Sequence, residues 1–351
     1  MKTVKKVIAA VLALAMTACV LSGCARRATG LHADLALLEN ESIDKSLPQD
    51  GQDGWYTVFI DDFDREALND STAIGQLRNA DGTPGETITT DIWTYSPHDV
   101  RWETQTGSAD QTSYWCPEMV TLRDGKVEIK AYETQDHTCD SCPKNGRFSG
   151  GIETRKINED GSSTQLFSQA YGYFEATVKF PDADGLWSAF WLQSVNQNNP
   201  SHQGLDGTEI DVYESAFQRN RTWMGHALLW DGYGSFAKVD DAILDTGKDL
   251  YDGYHTFALK WTPEYYVWYV DGVATWASMG GGVAKVPEFL RLTVEMDAGD
   301  GWGPHGQKIG KFDSGTEPVF YVEQVKVMQN LNYQQYILED SRFPYNVQEN
   351  A

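Results

Sequence analysis

Basic residues are the first shortage in this sequence. The chain sets only 28 Lys and Arg against 51 Asp and Glu, a formal net charge of −23. A surface this acidic repels nucleic-acid phosphates, anionic lipid heads and polyanionic substrates, so none of these is an expected partner. Long apolar runs are missing too. After the first two dozen residues nothing approaches the ~20 residues that a membrane span needs. Helical periodicity, heptads and a repeat of fixed spacing are also absent, which excludes coiled coils, bundles and solenoids. Tryptophan, in contrast, is plentiful: 12 residues in a chain of 351. Some must fill a core. Flat aromatic faces also receive sugar rings in polysaccharide clefts.

The N-terminus reads as a processing segment. MKTVKK is basic, VIAAVLALAMTACV is apolar, and Leu21-Ser22-Gly23-Cys24 follows. Small residues before a cysteine at the end of such a run resemble the bacterial lipoprotein signal. That resemblance implies removal of residues 1–23, a lipid on Cys24, and an extracytoplasmic protein held to the membrane only by that lipid. Residues 24–50 are mostly polar with one Leu-containing patch and are expected to be a tether. Cys116, Cys139 and Cys142 then remain, an odd number that permits at most one internal disulfide. Cys139-x-x-Cys142 with His137 nearby is too small a set for a metal site and is read as a disulfide or loop thiols.

From Trp55 onward the texture is short alternating runs broken by Asp-Gly, Pro-Asp and Gly-rich turns. WYTVFIDDF, KVEIKAYE, GYFEATVKF, TEIDVYE, YHTFALKW, EYYVWYVDG, FLRLTVEM and VFYVEQVKVM all read as strands. Many short strands without alternating helices predict an all-β fold, an antiparallel β-sandwich such as a jelly roll. One domain over 51–331 is expected, with 332–351 as a C-terminal tail.

Gly207-Thr-Glu-Ile-Asp-Val-Tyr-Glu-Ser-Ala216 carries the chemistry. As a strand it places Glu209 and Asp211 on one face and Ile210 and Val212 on the other. Strict alternation would bury Glu214 among apolar residues, at a cost. A β-bulge near Val212–Tyr213 flips the phase and returns Glu214 to the acid face. Three neighbouring acids repel, so at least one is held protonated above its usual pKa. A protonated acid beside a carboxylate is what a retaining glycosidase needs: one carboxyl attacks the anomeric carbon while the other protonates the leaving oxygen. Asp211 between them is placed to hydrogen-bond the nucleophile.

Glu209-Ile-Asp211-Val-Tyr-Glu214 resembles the bulged E-x-D-x-x-E signature of glycoside hydrolase family 16. The resemblance extends to YGYFEATVKFPDADGLWSAFWLQS (171–194), YHTFALKWTPEYYVWYVDG (254–272) and VFYVEQVKVMQ (319–329), and more loosely to WYTVFIDDFD (55–64). It implies a jelly-roll (concanavalin-like) sandwich of two curved antiparallel sheets with an open substrate cleft. It implies Glu209 as nucleophile, Asp211 as assisting acid and Glu214 as general acid/base. Trp187 and Trp191 match aromatics that line or back the sugar cleft. Family members often carry a His directly before a Trp after the catalytic strand. Here Leu229 precedes Trp230 and His226 lies four residues back. His226, Trp230 and, in a poorly matching later segment, Trp302 are the remaining candidates for substrate contact. No cofactor is required; the family's structural calcium would fall near Asp62 and Glu323. The expected activity is endo-hydrolysis of β-1,3- or mixed-linkage β-1,3-1,4-glucan by a monomer. An agarase-like galactanase and a non-catalytic, lectin-like glucan binder are the alternatives.

Overall fold

The computed structural model describes residues 29–97, 99–101, 113–134, 146–215, 220–233, 235–296, 310–313 and 315–339. Eighteen strands, taken in chain order, make its two large sheets. They are β1 (Thr29–His32), β2 (Trp55–Asp61), β3 (Ala73–Arg78), β4 (Pro84–Thr89), β5 (Thr94–Tyr95) and β6 (Val120–Leu122). Next come β7 (Val127–Lys130), β8 (Gly151–Glu153), β9 (Gly172–Lys179), β10 (Leu186–Gln193), β11 (Glu209–Glu214) and β12 (Trp223–Trp230). The last are β13 (Lys238–Asp245), β14 (His255–Trp261), β15 (Tyr266–Val270), β16 (Val273–Ser278), β17 (Phe289–Met296) and β18 (Val319–Asn330).

The cleft sheet has the order β1-β13-β12-β11-β10-β17-β8-β5, and every pairing in it is antiparallel. The outer sheet runs β16-β15-β14-β9-β18-β2-β3-β4, with β7 paired to β18 and β6 to β7. Alternation explains why these segments pack as they do. Ile210, Leu228, Leu290, Leu292 and Val294 of the cleft sheet face Phe174, Val178, Phe257, Leu259, Trp268 and Val322 of the outer sheet, all fully buried. One apolar core between two sheets is the expected sandwich.

Residues 29–50 are not the free tether expected from their polarity. Thr29–His32 add a strand to the cleft sheet beside β13. Leu38 and Ile43 are buried against Val267, Tyr269 and Ala277 on the outer face of the outer sheet. Asp44 and Ser46 receive the ammonium of Lys260 at 3.0 and 2.8 Å. The Leu-containing patch docks because the outer sheet offers it an apolar surface, and because Lys260 needs acceptors where it is buried. At the other end, Leu331–Tyr336 form a 3-10 turn, and Tyr333 packs edge-on to Trp55 and Tyr171. The signal segment, Cys24, His137, Cys139, Cys142, Trp302 and residues 340–351 lie outside the described residues. Cys116 is buried, and its thiol donates to Glu118 Oε2 at 2.6 Å.

Candidate active site

The three acids stand on β11, the fourth strand of eight. On one side Gln193 is opposite Glu209, Trp191 opposite Asp211, and Ala189 opposite Glu214. On the other side Leu229, Ala227 and Gly225 face the same three acids. From Asp211 to Glu214 the strand advances three positions while each neighbour advances two, so a bulge falls at Val212–Tyr213. Both bulge residues turn inward. Tyr213 is fully buried against Phe180, Phe257 and Phe320. Glu209, Asp211 and Glu214 all line the cleft instead.

The bulge interrupts the ladder, and core side chains take up its carbonyls. His226 Nδ1 lies 2.7 Å from Val212 O, and Trp268 Nε1 donates to Asp211 O at 3.0 Å. A carbonyl can only accept, so Nδ1 carries a proton, while Nε2 lies 2.9 Å from Thr275 Oγ1. His226 is 0% exposed and stacks parallel to Trp276. It therefore fastens the bulge from the core side and does not reach substrate, contrary to the sequence expectation. Trp230 is corrected too. It shares the inward face of β12 with Met224, His226 and Leu228 and packs against the core, outside the cleft lining.

Trp187 and Trp191 both line the cleft. Trp187 is half-buried. Trp191 is covered by the guanidinium of Arg291, 4.0 Å from its ring centre, and its Nε1 donates to Thr293 Oγ1 at 3.0 Å. It backs the cleft wall, while Trp187 offers surface.

Residues that sequence reading did not single out complete the site. Tyr233, from the loop after β12, donates its hydroxyl to Glu209 Oε2. Gln193 Nε2 lies 3.3 Å from the same oxygen and 2.9 Å from the Tyr233 hydroxyl. Arg291 Nη1 donates to Gln193 Oε1 at 3.1 Å, and its Nε is 2.8 Å from Glu153 Oε2. The signal was present in FLRLTVEM, where Arg291, Thr293 and Glu295 alternate with buried Leu and Val and so mark the cleft face. Tyr233 sits in a loop and carries no periodic signal.

Electrostatics separate the acids. Burial, then the charges of Glu214 and Glu209, push the Asp211 carboxyl well above the usual carboxylate range. Asp211, between the two glutamates, is thus the acid whose neutral form its surroundings favour. Burial, then the charge and hydrogen bond of Glu209, likewise raise the Tyr233 phenol and keep it a donor. The cleft has a volume of about 900 Å³, toward the upper end of the ~300–1,000 Å³ typical of ligand sites. Its other wall mixes Ala227, Leu229, Ala237 and Val239 with Tyr233, Lys238 and Asp241.

Among the described residues no three His, Cys, Asp or Glu side chains converge to hold a metal. Asp62 and Glu323 are both exposed. The neighbouring Asp61 is taken by Arg65 and by Trp93 Nε1 at 2.8 Å.

Comparison with known proteins agrees with this geometry. The model of glycosyl hydrolases family 16 matches residues 99–280, more than half of the chain, and the protein belongs to that family. It is 31% identical over 150 residues to a beta-glucanase of Paenibacillus polymyxa, covering 43% of this chain and 50% of that one. It is 29% identical over 185 residues to the endo-1,3-1,4-beta-glycanase EglC of Rhizobium meliloti, covering 48% and 37%. The chain thus spans half or less of these curated relatives. Among solved structures, the catalytic domain of an endo-1,3-beta-glucanase (laminarinase) from Thermotoga petrophila superposes with a TM-score of 0.55 at 19% identity, over 79% of this chain and 98% of that one. A family 16 endo-glucanase from Bacteroides ovatus gives 0.53 at 17% identity, over 77% and 99%. At this identity the likeness is one of fold, and it shows the jelly-roll sandwich expected from the strand pattern.

Proposed function

We propose that the protein is a retaining endo-β-glycanase that hydrolyses β-1,3- or mixed-linkage β-1,3-1,4-glucan. The observation that carries this is the bulge: it turns Glu209, Asp211 and Glu214 to one side of a single strand, in the floor of an open cleft. Glu209 attacks the anomeric carbon as a carboxylate, and the bond to the leaving oxygen breaks as Glu214 delivers its proton there. Glu214, now a carboxylate, takes a proton from water; the water oxygen then attacks the anomeric carbon and releases Glu209. Tyr233 and Gln193 both hold Oε2 of Glu209, which directs attack to Oε1. Neutral Asp211 keeps a third negative charge out of the floor and is a hydrogen-bond donor for the charge that moves between its neighbours.

The curated relatives are named for β-glucan substrates, which supports the same class here. The cleft charges favour a neutral polymer. Among the described residues its lining cations are Lys238 and Arg291, and Arg291 is already matched with Glu153. A sulfated galactan would meet an acidic floor. Trp187 is the surface on which a sugar ring would stack. The enzyme acts as a monomer outside the cytoplasm, held by a lipid on Cys24.

Reducing-end release should be measured on laminarin, barley β-glucan, lichenan, agarose and xyloglucan, with a chain that keeps residues 29–339. Release from a glucan is expected, and Glu209→Gln should lower it by roughly 10⁴-fold or more. Glu214→Gln should spare an aryl glycoside with a good leaving group far more than the polymer. Binding to glucan without release by the wild type would replace this reading with a lectin-like one.

A further inference from the structure

We propose that Arg291 is a positioning residue for the nucleophile and acts through the side-chain amide of Gln193; this rests on the reading of Glu209 given above. A guanidinium can only donate. By donating to Gln193 Oε1 at 3.1 Å, Arg291 decides which end of the amide faces which way. With Oε1 turned toward Arg291, Nε2 faces Glu209 Oε2 at 3.3 Å and the Tyr233 oxygen at 2.9 Å. Tyr233 in turn gives its proton to the same carboxylate oxygen. A flipped amide would set its carbonyl against the carboxylate and remove one of two donors from the attacking group.

Arg291 is itself held from several directions. It is 5% exposed, with the rings of Trp191 and Trp115 at 4.0 and 5.1 Å from its guanidinium carbon. Glu153, fully buried, lies 2.8 Å from its Nε as an ion pair and accepts hydrogen bonds from Arg155. Register places Arg291 opposite Trp191 on β10 and opposite Glu153 on β8. The relay Glu153–Arg291–Gln193–Glu209 therefore crosses four adjacent strands, β8, β17, β10 and β11. Neutralising Glu153 alone would need only an ammonium. A planar fork reaches Glu153 and Gln193 at once, and that second reach is what serves the nucleophile. Among the described residues, the other charged or titratable groups sharing the cleft are Asp211 and Glu214 on the same strand, Tyr233, Lys238 and Asp241 on the β12–β13 side, and Glu295 on β17.

The test is the pH profile of kcat/KM on the glucan that the wild type cleaves, for Arg291→Met, Arg291→Lys, Gln193→Met and the Arg291→Met/Gln193→Met double variant. Glu209 must be charged to attack, and donors favour the charged form, so losing them moves the acid limb to higher pH. Arg291→Met and Gln193→Met should each move it upward. Each should lower kcat/KM by roughly tenfold to a hundredfold, with KM within about twofold. The double variant should be no worse than Gln193→Met, because both act through one amide. A purely structural arginine would lower the yield or Tm and leave the limb in place. Should Arg291→Met not fold, Arg291→Lys keeps a cation for Glu153 and is expected to move the limb in the same direction. An unmoved limb in Gln193→Met, or in whichever Arg291 variant folds, overturns the relay. So do additive losses in the double variant. A wild type inactive on every glycan would instead overturn the proposed function.

Discussion

Among the described residues, each outward face of this sandwich hides a buried cation, and the two are held differently. In the cleft, Arg291 is 5% exposed and is met by Glu153, which comes from within the same sheet and is itself fully buried. On the outer sheet, Lys260 is 2% exposed and is met by Asp44, whose side chain is 61% exposed. Asp44 belongs to the N-terminal segment that lies across that face. Two neighbouring strands cannot separate without breaking the sheet, so the Arg291 pair is as permanent as the fold. The Lys260 pair lasts only while residues 29–50 stay docked. The comparison teaches where rigidity is invested: in the face that must hold a carboxylate for chemistry. The opposite face is closed by a strap.

Removing the strap is the strongest way to break the comparison. A chain starting at residue 51 loses β1, uncovers the patch under Leu38 and Ile43, and leaves Lys260 without Asp44 and Ser46. The expected loss is about 5 kcal/mol, from two buried aliphatic side chains and a stranded charge. Urea unfolding of the two chains measures it, and equal midpoints would mean that the strap contributes nothing.

Next in size is Glu153→Gln, which leaves Arg291 buried with a neutral partner. About 3–5 kcal/mol is expected, read from the shift in urea midpoint.

His226→Leu should cost roughly 2 kcal/mol, because Val212 O loses its donor in the core. Its kinetics separate two roles. A residue that fastens the bulge should lower kcat with KM nearly unchanged, since the bulge sets the direction of Glu214. A rise in KM alone would restore the substrate-binding role that the sequence suggested.

Asp44→Asn should have the smallest effect, about 1 kcal/mol, because Asp44 is exposed and water can replace much of it. Its pH dependence has a definite sign. Burial, only partly offset by Asp44, lowers the Lys260 pKa from 10.5. In the window between the lowered value and 10.5 the unfolded chain binds more protons, so stability rises with pH there. Losing Asp44 lowers the folded value further and widens that window downward. Unfolding midpoints measured across the alkaline range should therefore bring the variant and the wild type together as pH rises. A constant gap would show that Lys260 is not the group responsible.

Much of the site was legible before any coordinates. Period-2 alternation placed Glu209 and Asp211 on one face. The cost of burying Glu214 demanded an extra residue, and the bulge stands where that argument put it. The same alternation, carried along TWMGHALLW, would have grouped His226 and Trp230 with Met224 and Leu228 on the core side. Likeness to a family position suggested substrate contact for them instead. Gln193, Tyr233 and Arg291 escaped because their importance lies in whom they meet. Arg291 and Gln193 are 98 residues apart in the chain, and no local pattern announces such a meeting. The strap escaped because its polar residues outnumber the few Leu and Ile that dock it.

The sequence by itself determined the strand pattern, the acid face of β11 and the family of the chain. The first two follow from side-chain alternation and the cost of buried charge, which act between near neighbours; the third rests on the resemblance of its motifs. Only the tertiary structure decided which strands lie beside β11, which donors reach Glu209, that His226 faces inward, and that residues 29–50 close the outer face. Those depend on register between segments far apart in sequence, where a shift of one residue would send every side chain to the opposite face.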